Sequence, residues 1–124
     1  MTQQTRRILI VEDEFILAML LEDLLSDMGH QVVASIASLD KAMEFAGRGD
    51  VDFAILDINL GGEKSFPVAA ILRRRGIPFV FATGYGSAGL TTEYDNEFTL
   101  QKPYEPKQLR RAISEAPVTL RDGP

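Results

Sequence analysis

Short runs of apolar residues recur along the chain, and most of them end abruptly at a polar side chain. An uninterrupted apolar run is typical of a strand that is buried on both faces, as in a parallel sheet. The runs predict strands at Arg7–Val11, Gln31–Ala34, Val51–Leu56, Pro78–Thr83 and Phe98–Gln101. The segments between these strands have a different period.

Apolar residues at helical spacing predict helices at Phe15–Met28, Leu39–Ala46, Phe66–Arg75 and 106–116. Ser38 and Ser65 stand at the expected N-caps of the second and third helices. Segment 84–96 has no helical stripe, so a helix there is expected to be short or mobile. The first helix should present a broad apolar face, formed by Phe15, Ile16, Leu17, Met19, Leu20, Leu21, Leu24, Leu25 and Met28.

Because strands alternate with helices, the fold class is α/β: a five-stranded, mostly parallel sheet with helices on both faces. The 124 residues suit a single domain over 1–124, with a core at about 6–117 and a frayed tail at 118–124.

Composition narrows the functional classes. Without cysteine there can be no disulfide or thiolate metal site, and a net charge of −5 argues against broad attraction to nucleic acid. The longest apolar run is too short to cross a bilayer, so we expect a cytoplasmic protein that binds neither DNA nor membranes. His30 is expected at the surface and away from the site, which argues against histidine-based catalysis or a zinc site.

Polar side chains follow or end four of the predicted strands. They are Glu12 and Asp13 after the first, Asp57 after the third, Thr83 at the end of the fourth and Lys102 after the fifth. The carboxyl ends of parallel strands meet at one edge of a sheet, so these side chains should converge. Singly, each is more often a cap or a solvated group, but their shared position favours one site.

The residue types in this set suit phosphoryl transfer. Crowded carboxylates repel one another, and Mg²⁺, which prefers oxygen ligands, relieves that repulsion. A carboxylate nucleophile at Asp57, a cation at Lys102 and a hydroxyl at Thr83 are the other groups that carrying a phosphoryl group requires.

The chain resembles the CheY-like receiver domains of two-component response regulators over essentially its whole length. The resemblance rests on Ile8–Glu14, Leu56–Leu60, Ala82–Gly84 and Lys102–Pro103, taken in this order. It implies the strand order 2-1-3-4-5 of CheY. It also implies a phosphoacceptor that takes its phosphoryl group from a histidine kinase or a histidine phosphotransfer protein.

The resemblance assigns each site residue a role. Asp57 is similar to the phosphoacceptor, and Thr83 and Lys102 are similar to the partners of the phosphoryl oxygens. The implied Mg²⁺ ligands are Asp13, Asp57, the backbone carbonyl of Asn59 and, through water, Glu12. The Lys102–Pro103 peptide is commonly cis in this family.

Residues Phe81–Tyr85 further resemble the FAT GUY receivers, which are bacterial and mostly stand-alone, and the glycines after Asn59 fit that branch. One position departs from typical receivers. Thr99 stands where an aromatic residue usually rotates inward on activation, and Tyr85 or Phe98 is the candidate substitute. The expected switch residues are Tyr85, Phe98, Thr99 and Pro103.

We therefore expect a stand-alone switch that turns over no separate substrate and acts through protein contacts or as a phosphate sink. Its expected partners are the phosphodonor and an unknown downstream protein, which reads a surface formed by Tyr104, Pro106 and the last helix. A monomer or weak dimer is expected.

Two alternatives stay open. The atypical Thr99 allows an interaction module with a receiver fold that is never phosphorylated. A nucleotide-binding enzyme is more remote: Gly84–Gly89 matches G-x-G-x-x-G, but no periodic helix follows it. The run Arg73–Arg75 is better explained as complementing a helix C-terminus than as a nucleic-acid patch.

Overall fold

A computed structural model of the protein describes residues 5–83, 99–102 and 104–116. The predictions for Tyr85, Phe98, Pro103, the helix within 84–96 and the tail at 118–124 lie outside these residues. The described elements are β1 Arg7–Val11, α1 Phe15–Asp27, β2 Gln31–Ile36, α2 Leu39–Arg48, β3 Phe53–Asp57, β4 Asn59–Leu60, β5 Glu63–Lys64, α3 Phe66–Arg74, β6 Phe79–Thr83, β7 Thr99–Gln101 and α4 Pro106–Glu115.

The apolar runs assemble into one parallel sheet of order β2-β1-β3-β6-β7. This confirms the predicted order, in which the five main strands were numbered consecutively. Every residue of β3 and β6 is buried, as expected for interior strands of a sheet covered on both faces. Strand β2 runs to Ile36, two residues beyond its prediction, and lies at an edge of the sheet.

Alternate residues of the strands pack against different helices, which divides the core into two layers. Leu9 and Val11 of β1 lie in the layer with α2 and α3, whereas Ile8 and Ile10 lie in the layer with α1 and α4. The sheet is therefore covered by two of these helices on each face.

Helix α1 differs from its prediction because only part of its apolar face is covered. Ala18, Leu21 and Leu25 are buried, but Phe15 and Ile16 are 76% and 79% exposed. Met19 and Leu20 are also exposed. The buried stripe needs only the positions that face the sheet, and these four residues lie on another side of the helix.

Two helices end in the same hydrogen-bonded motif. After α1, the Gly29 and His30 N–H groups donate to the carbonyls of Ser26 and Leu25, with Gly29 at φ +88°. Gly76, at φ +72°, ends α3 in the same way. Glycine suits both positions because a Cβ disfavours this left-handed conformation.

The predicted serine caps are wrong in part. Ser38 and Ser65 occupy the N-cap positions, but neither side chain caps its helix, and the buried hydroxyl of Ser65 has no hydrogen-bond partner among the described residues. The surface assignment of His30 is also wrong, since this residue is only 7% exposed. His30 lies between α1 and β2, and its ring accepts a hydrogen bond from the backbone N–H of Arg6, the residue before β1.

Candidate functional site

The C-terminal ends of β1, β3, β6 and β7 meet around one open cleft of about 530 Å³. Parallel register makes this convergence unavoidable, because β3 pairs with both β1 and β6, and β6 pairs with β7. The cleft is lined by Asp13, Glu14, Asp57, Asn59, Gly61, Gly62, Thr83 and Lys102. The structure thus brings the side chains predicted from the strand ends to one place.

Lys102 is the central cation of the cleft. Its Nζ lies 3.0 Å from Oδ2 of Asp57 and 3.0 Å from Oε1 of Glu12. A longer contact of 3.9 Å reaches Oε1 of Glu14. Burial alone would lower the pKa of Lys102, but its hydrogen bonds to Asp57 and Glu12 raise that pKa overall, so the ammonium stays charged.

Glu12 forms the floor beneath this cation, with only 3% of its surface exposed. Besides Lys102, its carboxylate accepts hydrogen bonds from the Tyr104 hydroxyl at 3.2 Å and from the Glu14 N–H at 3.1 Å. Tyr104 is itself buried, which corrects its assignment to a surface read by partners. Burial and the charge of Glu12 raise the pKa of Tyr104, so its hydroxyl remains a donor.

Asp57 is 7% exposed at the end of β3. Burial raises its pKa to about 7, the hydrogen bond to Lys102 opposes the rise, and the charge of Glu12 adds to it. A cation beside Asp57 therefore favours the ionised carboxylate, which is the nucleophilic form. The other oxygen, Oδ1, accepts a long hydrogen bond of 3.4 Å from the Asn59 N–H.

The sequence analysis missed a small hairpin, β4–β5, beside the cleft. Asn59 pairs with Lys64 and Leu60 with Glu63, around the turn Gly61–Gly62. The glycines have φ of +57° and +96°, which matches the type I′ turn favoured in two-residue hairpins. In the sequence, the Gly-Gly pair between two short segments is the feature that indicates such a hairpin.

The hairpin contacts the acidic residues directly, because the Gly61 N–H donates to Oδ2 of Asp13 at 2.9 Å. Asp13 is exposed, whereas Glu12 and Asp57 are buried, yet one carboxylate oxygen from each lies within 4.8 Å of the other two. Three such oxygens, with Asn59 lining the same cleft, fit a hard divalent cation that keeps several waters.

The predicted switch residues are only partly within the described chain. Thr99 lies on β7, half-buried, and pairs with Phe81 in the sheet register. Thr99 lies three residues before Lys102. The N–H of Lys102 extends the pairing of β7 with β6, because it donates to the Thr83 carbonyl at 3.0 Å.

The fold and this cleft define a class of protein, and comparison with known proteins identifies it. Residues 8–114 match the family model of the response regulator receiver domain. The chain belongs to this family, which confirms the resemblance seen in the sequence. Receiver domains are signalling switches that bind Mg²⁺ at an acidic pocket, and the cluster of Glu12, Asp13 and Asp57 fits such a pocket.

Particular relatives fall within the same family. The chain is 34% identical, over 113 residues, to the phyllosphere-induced regulator PhyR of Methylorubrum extorquens, covering 88% of this chain and 42% of PhyR. The solution structure of SdrG from Sphingomonas melonis Fr1 is 42% identical with a TM-score of 0.80, covering 88% of this chain and 93% of SdrG. The BeF3-activated conformation of SdrG from Pseudomonas melonis Fr1 is also 42% identical, with a TM-score of 0.74 and coverages of 86% and 92%.

The chain spans about half or less of the length of the curated relatives that it matches. Within its described part, none of the helices combines the length and the apolar character needed to cross a membrane.

Proposed function

We propose that this receiver domain is a phosphorylation-controlled switch in two-component signal transduction, with Asp57 as the phosphoacceptor. The donor is a histidine kinase or a histidine phosphotransfer protein. The observation that carries the proposal is the position of Asp57 in the cleft, with its Oδ2 3.0 Å from the Lys102 ammonium and with Thr83 in the same wall. The family and the existence of a BeF3-activated SdrG conformation support it.

In the proposed reaction, an ionised oxygen of Asp57 attacks phosphorus, and the bond from phosphorus to the donor histidine nitrogen breaks. The electron pair of that bond stays on the leaving imidazole. Lys102 and the Thr83 hydroxyl pair with the phosphoryl oxygens as charge builds on them. Asp13, Asp57, the Asn59 carbonyl and, through water, Glu12 would hold Mg²⁺, which would further neutralise that charge.

The phosphodonor protein must reach this cleft, and we propose that it docks on the exposed apolar residues of α1. Phe15 directly follows Glu14, which lines the cleft, so the apolar patch begins one residue away from the site. The patch consists of Phe15, Ile16, Met19 and Leu20. Solvent-exposed apolar side chains grouped beside a reactive cleft are typical of a protein-binding surface.

The proposed output begins at β7, the strand that directly precedes Lys102. Phosphorylation changes the group with which Lys102 pairs, so we propose that it shifts the balance between two positions of β7 and its neighbours. The signal leaves through protein contacts, or the domain serves as a phosphate sink. Membership in the FAT GUY branch, stand-alone action in the cytoplasm and the switch roles of Tyr85, Phe98, Thr99 and Pro103 remain predictions.

The direct test is incubation with acetyl phosphate and Mg²⁺, followed by intact mass spectrometry. The wild type should gain one phosphoryl increment, and Asp57→Ala or removal of Mg²⁺ should abolish it. An increment that persists in Asp57→Ala would contradict the assignment of the acceptor. No increment, together with no response to beryllofluoride, would favour the non-phosphorylated interaction module.

A further inference from the structure

A second lysine, Lys64, is hydrogen-bonded to a residue that lines the cleft. Lys64 lies opposite Asn59 in the hairpin register, and its Nζ donates to Oδ1 of Asn59 at 2.6 Å. Asn59 in turn lines the cleft, and its N–H points to Asp57 Oδ1. Lys64 takes part in none of the salt bridges formed among the described residues, so its charge has no paired carboxylate there.

The hairpin that carries Lys64 is fixed at several points. Leu60 is only 4% exposed and anchors β4 in the core. The turn at Gly61 and Gly62 has the backbone geometry that closes a two-residue hairpin, and the Gly61 N–H bonds to Asp13. Because its backbone and its hydrogen-bond partner are both held, Lys64 loses less side-chain freedom on pairing with an anion than a free surface lysine would.

The balance of charge in the cleft calls for such a cation. The ammonium of Lys102 is already shared between Asp57 and Glu12 and lies 3.9 Å from Glu14, and Asp13 belongs to the same acidic cluster. A phosphoryl group adds negative charge and unpaired oxygens to this acidic surface. Lys102 and a bound Mg²⁺ together offset the charge of these four carboxylates only in part, so an incoming anionic donor still meets repulsion.

We propose that Lys64 is a second phosphoryl-recognition residue of this receiver, with Asn59 as the residue that positions it. The Lys64 ammonium pairs with oxygens of the incoming or bound phosphoryl group and raises the rate at which anionic donors are captured. It forms no covalent bond and transfers no proton. The inference rests on the proposed phosphoacceptor function and adds a residue to it.

The test compares Lys64→Gln with Arg48→Gln, which removes the same charge from an exposed residue at the last turn of α2. The initial rate of phosphorylation by acetyl phosphate with saturating Mg²⁺ is measured at low and high salt, and beryllofluoride binding is titrated in parallel. Lys64→Gln should react roughly two- to five-fold more slowly at low salt, the range of an exposed ion pair. High salt should reduce the difference, and Lys64→Arg should retain most of the rate.

A purely structural role for Lys64 gives a different result. Loss of the bond to Asn59 alone would lower the urea midpoint of Lys64→Gln without changing how its rate depends on salt. Asn59→Ala should slow capture less than Lys64→Gln, because the charge remains but is no longer held in place. Equal low-salt rates for Lys64→Gln and Arg48→Gln would overturn the proposal.

The phosphoacceptor function and the role of Lys64 are tested by different outcomes. If the wild type gains no phosphoryl increment, or Asp57→Ala still gains one, the phosphoacceptor function fails. If the wild type is phosphorylated on Asp57 and Lys64→Gln matches it in rate, salt dependence and beryllofluoride affinity, only the role of Lys64 fails.

Discussion

At the scale of residues, the cleft shows how buried acids are tolerated. An unpaired buried carboxylate is costly, and Glu12, nearly inaccessible to solvent, is bonded to Lys102, Tyr104 and the Glu14 N–H. Asp57 has fewer partners and a raised pKa. The hydrogen bonds of the Glu12 carboxylate thus give it a structural role. Asp57 accepts fewer hydrogen bonds, which leaves its carboxylate oxygens more available for reaction.

His30 is a buried ionisable residue that is not part of the cleft lining, and its burial predicts a dependence of stability on pH. Its Nδ1 accepts the Arg6 N–H at 3.0 Å, so the neutral ring carries its proton on Nε2, which has no partner among the described residues. Burial and then the charge of Arg6 lower its pKa. Folding therefore favours the neutral form.

The sign of the pH effect follows from this shift. Stability contributed by neutral His30 is fully present above its unfolded pKa of about 6.5 and is lost as pH falls through the lower folded value. The slope cannot exceed about 1.4 kcal/mol per pH unit for one group. Between pH 7.5 and about 5 the raised pKa of Asp57 acts in the opposite direction, so the effect of His30 is measured as the difference between the wild type and His30→Asn, which keeps an acceptor for the Arg6 N–H. In urea unfolding, the free energy of unfolding of the wild type should fall relative to that of His30→Asn as pH falls. An identical pH dependence of the two proteins would show that His30 does not contribute.

At the scale of elements, α1 and the β4–β5 hairpin border the same cleft but contribute differently. Helix α1 supplies Glu14 and the exposed patch, whereas the hairpin supplies backbone N–H groups and Lys64. Leu21 and Leu25 hold α1 to the sheet, so its outward apolar residues are available without cost to the core.

Because α1 has a buried and an exposed apolar face, mutations on the two faces should have different effects. Ile16→Ser should leave both the free energy of unfolding and acetyl phosphate labelling near those of the wild type, because Ile16 is 79% exposed. It should slow transfer from a histidine kinase shown to phosphorylate the wild type. Leu21→Ala, at a fully buried position, should instead cost about 2–5 kcal/mol in urea unfolding. Unchanged kinase transfer to Ile16→Ser would remove α1 from the docking surface.

At the scale of the whole molecule, the acidic cluster links cation binding to folding. Its three members come from β3 and from the loop after β1, so the cluster exists only when these strands are adjacent. A cation that binds the folded state alone stabilises it by mass action.

Mg²⁺ should therefore raise the melting temperature in a concentration-dependent way, and chelation should reverse it. At 100 times its Kd the gain should be about 2.7 kcal/mol. Asp13→Asn should lose most of this gain, since it removes a charged ligand yet keeps an acceptor for the Gly61 N–H. If Asp13→Asn responds to Mg²⁺ like the wild type, the cation binds elsewhere.

The sequence by itself determined the class of fold and the members of the site. Runs such as Ile8–Val11 and Phe53–Leu56 are short and apolar at every position, which is typical of a strand covered on both faces, and parallel strands place their C-terminal residues at one edge. That is why Asp13, Asp57 and Lys102 could be grouped before any distance was known.

Only the tertiary structure decided which apolar and polar groups are covered. Phe15 and Leu21 look alike in a helical stripe, and their burial depends on where the sheet lies against α1. His30 is polar in the sequence but is buried, and its ring accepts a hydrogen bond from the backbone N–H of Arg6, which is 24 positions away. The position of Lys64 likewise depends on a hairpin register and on a contact between Gly61 and Asp13, which are 48 positions apart. The hydrophobic period and the composition of a segment describe its local preference for helix or strand. These contacts, in contrast, join residues that are distant in the sequence and arise only when the elements pack together.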